Sequence, residues 1–373
     1  MLPASRNLFL LLPTLTGVVT ALLSNTAFAL SMVMIAPGYS TEPFWVDAAR
    51  AMHFAAGSLG VELEVLFAER DYLEQIQLTH QIAQRAPAQR PDYLIIVGEK
   101  GTLAAQLTVA NDAALPTFLA FNAVTPHDRS LVGYPRQQFP FWLGSLSPLA
   151  EEGGYLSARA LFGRALDRLP PGSTPELIVL AGDRSTGTSL GRNQGMQRAL
   201  QEFPQIQLRQ LVFSDWSQIK ATQQTEHLLR RYPNVQLVWA ASDLLAYGAI
   251  QAMQQEQRPR KDVFIGAMNA TNKALESSVS GEFTALAGGH HMTGAWAIVM
   301  LYDHHHGKDF RDRETDAERH YSMFTLLDAP LAGQILKARA GGAIPSFCDF
   351  SRVCNPARTT YNFSFANWLD AHQ

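Results

Sequence analysis

Cysteine is nearly absent from this chain of 373 residues: only Cys348 and Cys354 occur, in C-D-F-S-R-V-C near the C-terminus. Two cysteines so spaced, with no histidine close by, make a poor zinc site. No long basic block is present and the formal net charge is −3, so nucleic acid is excluded as a partner. Past residue 29 no stretch approaches the roughly 18 to 20 apolar residues of a membrane helix. Low-complexity segments and short-period repeats are also missing, which leaves no case for a solenoid. What is present is a hydrophobic content of 47%, ordinary for a globular protein with a sizeable core. The length suits two or three domains of about 150 residues each.

The first 29 residues stand apart. Arg6 opens a positive start, Leu8 to Leu23 is mostly apolar, and Ala27-Phe28-Ala29 is an A-x-A cleavage site. This is the pattern of a secretory signal peptide cleaved near Ala29, with an uncleaved anchor as the alternative. Export makes a short-loop Cys348–Cys354 disulfide the default expectation. Two free buried thiols are the other possibility.

From Leu30 onward strand-like and helix-like runs alternate. Ser31 to Ala36, Val61 to Phe67, Asp92 to Gly98 and Pro116 to Phe121 are strand-like, with helical runs from Asp47, Tyr72 and Gly101 between them. Asn122 to Ser147 is less regular. The alternation then restarts with strands at Glu176 to Gly182, Leu208 to Phe213, Val235 to Ala241 and Asp262 to Met268, and helices from Gly191, Ser217 and Leu244. Continuous apolar strands separated by helices predict an α/β protein with two doubly wound parallel-sheet lobes.

Ligands of open parallel sheets bind beyond the carboxyl ends of the strands. Those ends carry G-Y-S-T-E-P-F-W at 38 to 45, Gly98 to Lys100, Phe121-Asn122, Gly182 to Arg192, Asp215-Trp216, Ser242-Asp243 and Met268-Asn269. Aromatic rings mixed with single polar side chains suit a small polar ligand. Taken alone, Asp215 and Asp243 serve equally well as helix caps, and Trp216 as a core residue.

The order of signal peptide, strand, x-x-x-x-P-F-[FW] and helix resembles the type I periplasmic substrate-binding proteins of the ribose-binding class. P-D-Y-L-I-I at 91 to 96, A-L-P-T-F at 114 to 118, Arg192-Asn-Gln-Gly195, the run Tyr232 to Asp243 and Ser280-Gly-Glu-Phe283 match in order and spacing. The resemblance implies two lobes joined by three crossings. It places residues 30–145 and 288–320 in one lobe, 146–287 and 321–345 in the other, and 346–373 in a C-terminal strap. It implies a ligand held in the cleft by Tyr39, Glu42, Phe44, Trp45, Asn122, Arg192, Trp216, Asp243, Asn269 and His290. Phe44 and Trp45 would stack on the ligand, Arg192 would donate from the opposite lobe, and Trp216 would supply a facing ring. It further implies a monomer in the periplasm, without cofactor or metal, that hands a sugar-like ligand to an ABC transporter. A membrane sensor is the alternative reader of the closed form.

Departures from the sugar binders are equally visible. Phe121-Asn122 stands where they usually carry Asp-Arg, Met268-Asn269 where they carry Asp, and Gly288 to His291 where they carry a late Gln. The F-N-A-V-T-P context resembles the autoinducer-2-binding branch, but the second arginine of that branch near Gly288 is missing. The ligand expectation is therefore small, polar and sugar-like. Gly187-Thr-Ser-Leu-Gly191 matches the G-x-S-x-G of serine hydrolases, though Ser189 stands far from the end of its strand. His290-His291 and His304 to His306 lack the i, i+4 pair of a helical metal site. The turn Val97 to Gly101 lacks phosphate-loop spacing, and places Glu99 or Lys100 near the cleft rim. Tyr361 to Trp368 is either a packed strap or an aromatic docking surface.

Overall fold

The computed structural model describes Met1, residues 29–311, 317–341 and 346–365, and Leu369. Residues 2–28, most of the stretch read as a signal peptide, and Trp368 lie outside the described residues.

The first run comprises β1 (Ser31–Ala36), α1 (Pro43–Leu59), β2 (Glu62–Phe67), α2 (Tyr72–Ala83), β3 (Tyr93–Ile96), α3 (Leu103–Asp112), β4 (Thr117–Ala120), α4 (Pro126–Val132) and β5 (Trp142–Pro148). The second comprises α5 (Ala150–Leu166), β6 (Glu176–Ala181), α6 (Gly187–Gln201), β7 (Gln207–Phe213), α7 (Gln218–Arg231), β8 (Val235–Ala240), α8 (Asp243–Gln255), β9 (Phe264–Met268), α9 (Asn272–Val279) and β10 (Ala285–Gly288). Then follow α10 (Thr293–His305), β11 (Glu318–Tyr321), β12 (Thr325–Leu326) and α11 (Ala329–Ala340).

These form two six-stranded sheets, ordered β11-β5-β4-β3-β1-β2 and β12-β10-β9-β8-β6-β7. Every pairing is parallel except β10 with β12. β1 is flanked by β2 on one side and β3 on the other, so the strand order reverses there and a crevice opens above the carboxyl ends. In the second sheet β6 plays the same part.

The stretch from Asn122 to Ser147, irregular as a sequence, contains α4 and most of β5. Gly144, Ser145 and Ser147 dilute the apolar pattern of β5, yet the strand is central. Gly144 is needed because a β-carbon there would run into the Ala317 carbonyl and the Phe310 ring. β5 holds the chain in the first sheet through Pro148, beyond the lobe boundary expected at 145.

α1 begins at Pro43, not near Asp47 as the apolar period suggests. Proline suits the first helical position because its missing N–H would have no partner there. Phe44 and Trp45 consequently sit in the first helical turn, and Trp45 is buried. Gly38 permits this, since a β-carbon at that position would overlap the indole.

α5 and α6 touch backbone to backbone. A β-carbon on Gly154 would meet the Arg192 carbonyl, and one on Gly195 the Glu151 carbonyl. Overpacking of this kind costs about 1 to 3 kcal/mol or more. Gly195→Ala is expected to lower stability by at least that amount in urea unfolding; an unchanged midpoint would mean that the helix pair can separate freely.

The three crossings run from β5 to α5, from β10 to α10 and from β11 to β12. The C-terminal segment adds a fourth passage. α11 packs on α9 of the second lobe, whereas the 3-10 turn Phe347–Phe350 packs on α1 and α10 of the first. Trp296 of α10 is enclosed by Phe347, Phe350 and Phe363, the last stacked at 4.9 Å. Buried Asp303 accepts from Ser351 Oγ, Tyr361 O–H and the Arg352 N–H. Tyr361, Phe363 and Phe365 are all buried, so this part of the aromatic run is a strap rather than an exposed docking surface. Cys348 and Cys354 form a disulfide inside the strap.

Candidate functional site

A cleft containing about 590 Å³ of empty space, partly open to solvent, lies between the carboxyl ends of the two sheets. Eight of the ten sequence-derived site residues line it: Glu42, Phe44, Trp45, Asn122, Arg192, Trp216, Asn269 and His290. Two do not. Tyr39 sits half exposed on the outside of its turn. Asp243 is buried behind the wall, where its carboxylate accepts from Asn269 Nδ2 at 2.7 Å, Thr271 Oγ1 at 2.6 Å and the Leu244 N–H. It orients Asn269 rather than facing the cleft. The cap of α8 is Ser242 and that of α7 is Ser217, so neither Asp243 nor Asp215 has that task.

The second-lobe wall centres on Arg192 of α6, which is 3% exposed. Its Nη1 donates to the Ala241 carbonyl at 2.6 Å and its Nη2 lies 2.7 Å from His290 Nε2. Burial pulls the guanidinium down to about 9, with Asp243 behind the wall opposing the shift. Burial and the adjacent Arg192 charge hold His290 well below its usual 6.5, so the ring is neutral. An arginine only donates, so Nε2 of His290 accepts and its proton sits on Nδ1. Arg192 Nε, His290 Nδ1 and Asn269 Oδ1 are buried without a partner among the described residues. Arg192 and Asn269 of the second lobe, with His290 at the crossing after β10, thus offer two donors and one acceptor.

Rings frame these groups. His290 stacks between Phe44 at 5.0 Å and Phe324 at 4.5 Å. Trp45 packs edge-on against Phe121 at 5.0 Å, beneath Phe44. Trp216 follows β7 on a left-handed backbone, with φ of 50° at Asp215 and 59° at Trp216. Its indole covers Gly182, where a β-carbon would clash, and its Nε1 donates to Asp183 at 2.8 Å. The Arg192 guanidinium lies 5.4 Å from the Trp216 ring.

The first-lobe wall adds Arg70, which the sequence reading did not single out, to Glu99, Phe121 and Asn122. Arg70, in the turn after β2, grips Glu42 through Nε at 2.9 Å and Nη2 at 2.5 Å. Glu99 follows β3 and Phe121 follows β4. Asn122 donates to the Gly98 carbonyl at 3.0 Å and accepts from Thr188 Oγ1 of the second lobe at 2.5 Å. The lobes are in direct contact there: a β-carbon on Gly187 would meet the Ala123 carbonyl. Arg70 was findable in principle, because F-A-E-R-D also follows a strand end.

Ser189 is fully buried inside α6, its N–H bonded to Thr186 Oγ1 and its hydroxyl without a partner. The G-x-S-x-G match is therefore the first turn of a helix, not a strained elbow. Among the described residues no group of three His, Cys, Asp or Glu could hold a metal ion. His291 lies 3.5 Å from Arg339 Nη2, and His304 Nδ1 lies 2.9 Å from the Tyr93 hydroxyl.

A family model described as a periplasmic binding protein domain matches residues 32–309. A periplasmic sugar-binding protein from Pseudomonas fluorescens, known from its crystal structure, is 32% identical, with a TM-score of 0.80 over 91% of this chain and 99% of that one. The D-allose-binding periplasmic protein of Escherichia coli (strain K12) is 24% identical over 286 residues, 73% of this chain and 82% of the relative. A D-apiose import binding protein from Paraburkholderia graminis is 25% identical over 265 residues, 70% of this chain and 77% of the relative.

Proposed function

This chain belongs to the periplasmic binding protein family, of the ribose-binding-like kind, and we propose from that premise that it captures a small polyhydroxylated ligand, a sugar or polyol, and presents it to the permease of an ABC transporter. The observation that carries the ligand class is the set of unmet polar groups around Arg192. Arg192 Nε, His290 Nδ1 and Asn269 Oδ1 are unpartnered groups of cleft-lining residues, and leaving buried polar groups unmet is costly. Hydroxyls both donate and accept, so a hydroxyl-rich ligand meets all three. The rings of Phe44, Trp45, Phe121 and Trp216 suit the apolar face of a sugar.

The protein acts by closing. Hinge motion at the three crossings brings the walls together, and a ligand touching both walls favours the closed form. It works as an exported monomer processed near Ala29, without catalysing turnover. The relatives named for D-allose and D-apiose support import as the purpose of capture.

The test is a thermal-shift screen of the mature protein against D-allose, D-apiose, L-arabinose, D-tagatose, galactofuranose and myo-inositol. A ligand far above its Kd should add roughly 3 to 4 kcal/mol of stability. A shift with one of them names the ligand class. No shift with any of these sugars and polyols would overturn the proposal.

A further inference from the structure

The first-lobe wall contains an acceptor that the protein itself leaves unfilled. Glu99 lines the cleft with its side chain only 10% exposed. Its turn is fixed, with Thr102 Oγ1 donating to the Glu99 carbonyl at 2.8 Å. The carboxylate is not similarly served. The nearest cation is Arg70, whose Nη1 stands 3.7 Å from Oε2, too far for a hydrogen bond. Arg70 is already engaged by both oxygens of Glu42.

The other carboxylates around the cleft are satisfied. Glu42 has Arg70. Asp183 accepts from Ser185, Thr186 and Trp216. Asp243 accepts from Asn269, Thr271 and Leu244. Glu99 alone among these four accepts no side-chain or backbone donor among the described residues, although nine-tenths of it is buried. A buried carboxylate without donors is costly unless something supplies them.

We propose that Glu99 is the first-lobe anchor of the ligand, its two carboxylate oxygens accepting from a pair of neighbouring hydroxyls, opposite the donor Arg192 of the second lobe. This rests on the sugar reading and sharpens it: the ligand must carry a vicinal diol directed at the first lobe.

The anchor makes capture proton-linked. The charged groups facing Glu99 are Arg70 after β2, Glu42 before α1, Asp183 from the second lobe and its own neighbour Lys100. Burial is the largest influence and raises its carboxyl from 4.5 to about 7, with Arg70 opposing and Asp183 and Glu42 adding to the rise. The folded protein therefore holds a proton that the unfolded chain releases near 4.5. The resulting stability is complete below 4.5 and is lost as pH rises through about 7. A diol donating to the ionised form drives that proton off.

Glu99→Gln, compared with wild type between pH 5 and 8.5, tests this. Without sugar, the variant's melting advantage over wild type should grow as pH rises from 5 towards about 7 and level off above it. With the screened sugar that binds best, wild-type affinity should tighten by up to about tenfold from pH 6 to pH 8. The variant should bind at least about tenfold more weakly at pH 8, with no such pH dependence. Equal affinity of the two proteins at pH 8 would remove Glu99 from the site. Should no screened sugar bind, the sugar reading fails by itself and the sugar-free melts still decide. Parallel melting of the two proteins at every pH would show a Glu99 that is not an unmet buried acceptor, and would overturn the inference.

Discussion

Trp45→Ala is expected to lower folding stability by about 3 to 5 kcal/mol, the range for deleting a large buried ring. From the sequence alone this tryptophan is a stacking surface, and its removal should weaken binding without unfolding. The structure gives it a second duty. Its ring is 5% exposed, lies against Gly38 and packs edge-on with Phe44 and Phe121 at 5.1 and 5.0 Å. It therefore supports the floor on which Phe44 rests and on which the turn from 38 to 42 folds. Urea unfolding of wild type and variant gives the comparison. A loss below about 1 kcal/mol, accompanied by weak sugar binding, would return Trp45 to a purely ligand-facing role.

Arg192→Ala should have the opposite signature. Sugar affinity should fall by about 1.5 to 3 kcal/mol, roughly 10- to 150-fold, which is the worth of charged hydrogen bonds. Stability should fall little or even rise. The guanidinium is buried without a carboxylate in hydrogen-bond contact, and an isolated buried charge is expensive. Among the described residues its hydrogen-bond partners are the Ala241 carbonyl and His290. Such an arrangement makes sense if the remaining Nε is kept for a ligand. Calorimetric titration with the sugar that shifts wild type most, set beside the melting curves, separates the two effects. Unchanged affinity would remove Arg192 from the site. A severe loss of stability with intact affinity would make it a structural clamp between α6 and the crossing at His290.

The alternation of elements was legible because parallel strands buried on both faces are nearly continuous apolar runs. Met32 to Ala36, Leu177 to Ala181 and Leu237 to Ala240 are all buried along their length. β5 was not legible, because Gly144 and two serines interrupt its pattern for reasons that lie in a different part of the chain. One is the close approach of Ala317, more than 170 residues later. The start of α1 was misplaced by a period argument that looked for apolar spacing and passed over proline. The burial of Tyr361, Phe363 and Phe365 was equally invisible, since nothing local shows that Trp296 and Asp303 are waiting for them.

The site divides in the same way. The sequence by itself determined which turns end the parallel strands, and its family resemblance pointed to Glu42, Phe44, Trp45, Asn122, Arg192, Trp216, Asn269 and His290, which the structure places along one opening. Strand direction and connection order impose that much on any chain with this alternation. Only the tertiary structure decided what each of these groups has left to offer. Asp243 is spent on Asn269 and Thr271, and Tyr39 turns outward. Arg70 is spent on Glu42, His290 carries its proton on Nδ1 because Arg192 occupies Nε2, and Glu99 is left buried without a donor. A hydrogen-bonding group is free or used according to neighbours that can lie a hundred residues away. Its availability is a property of the folded contacts, not of the residue.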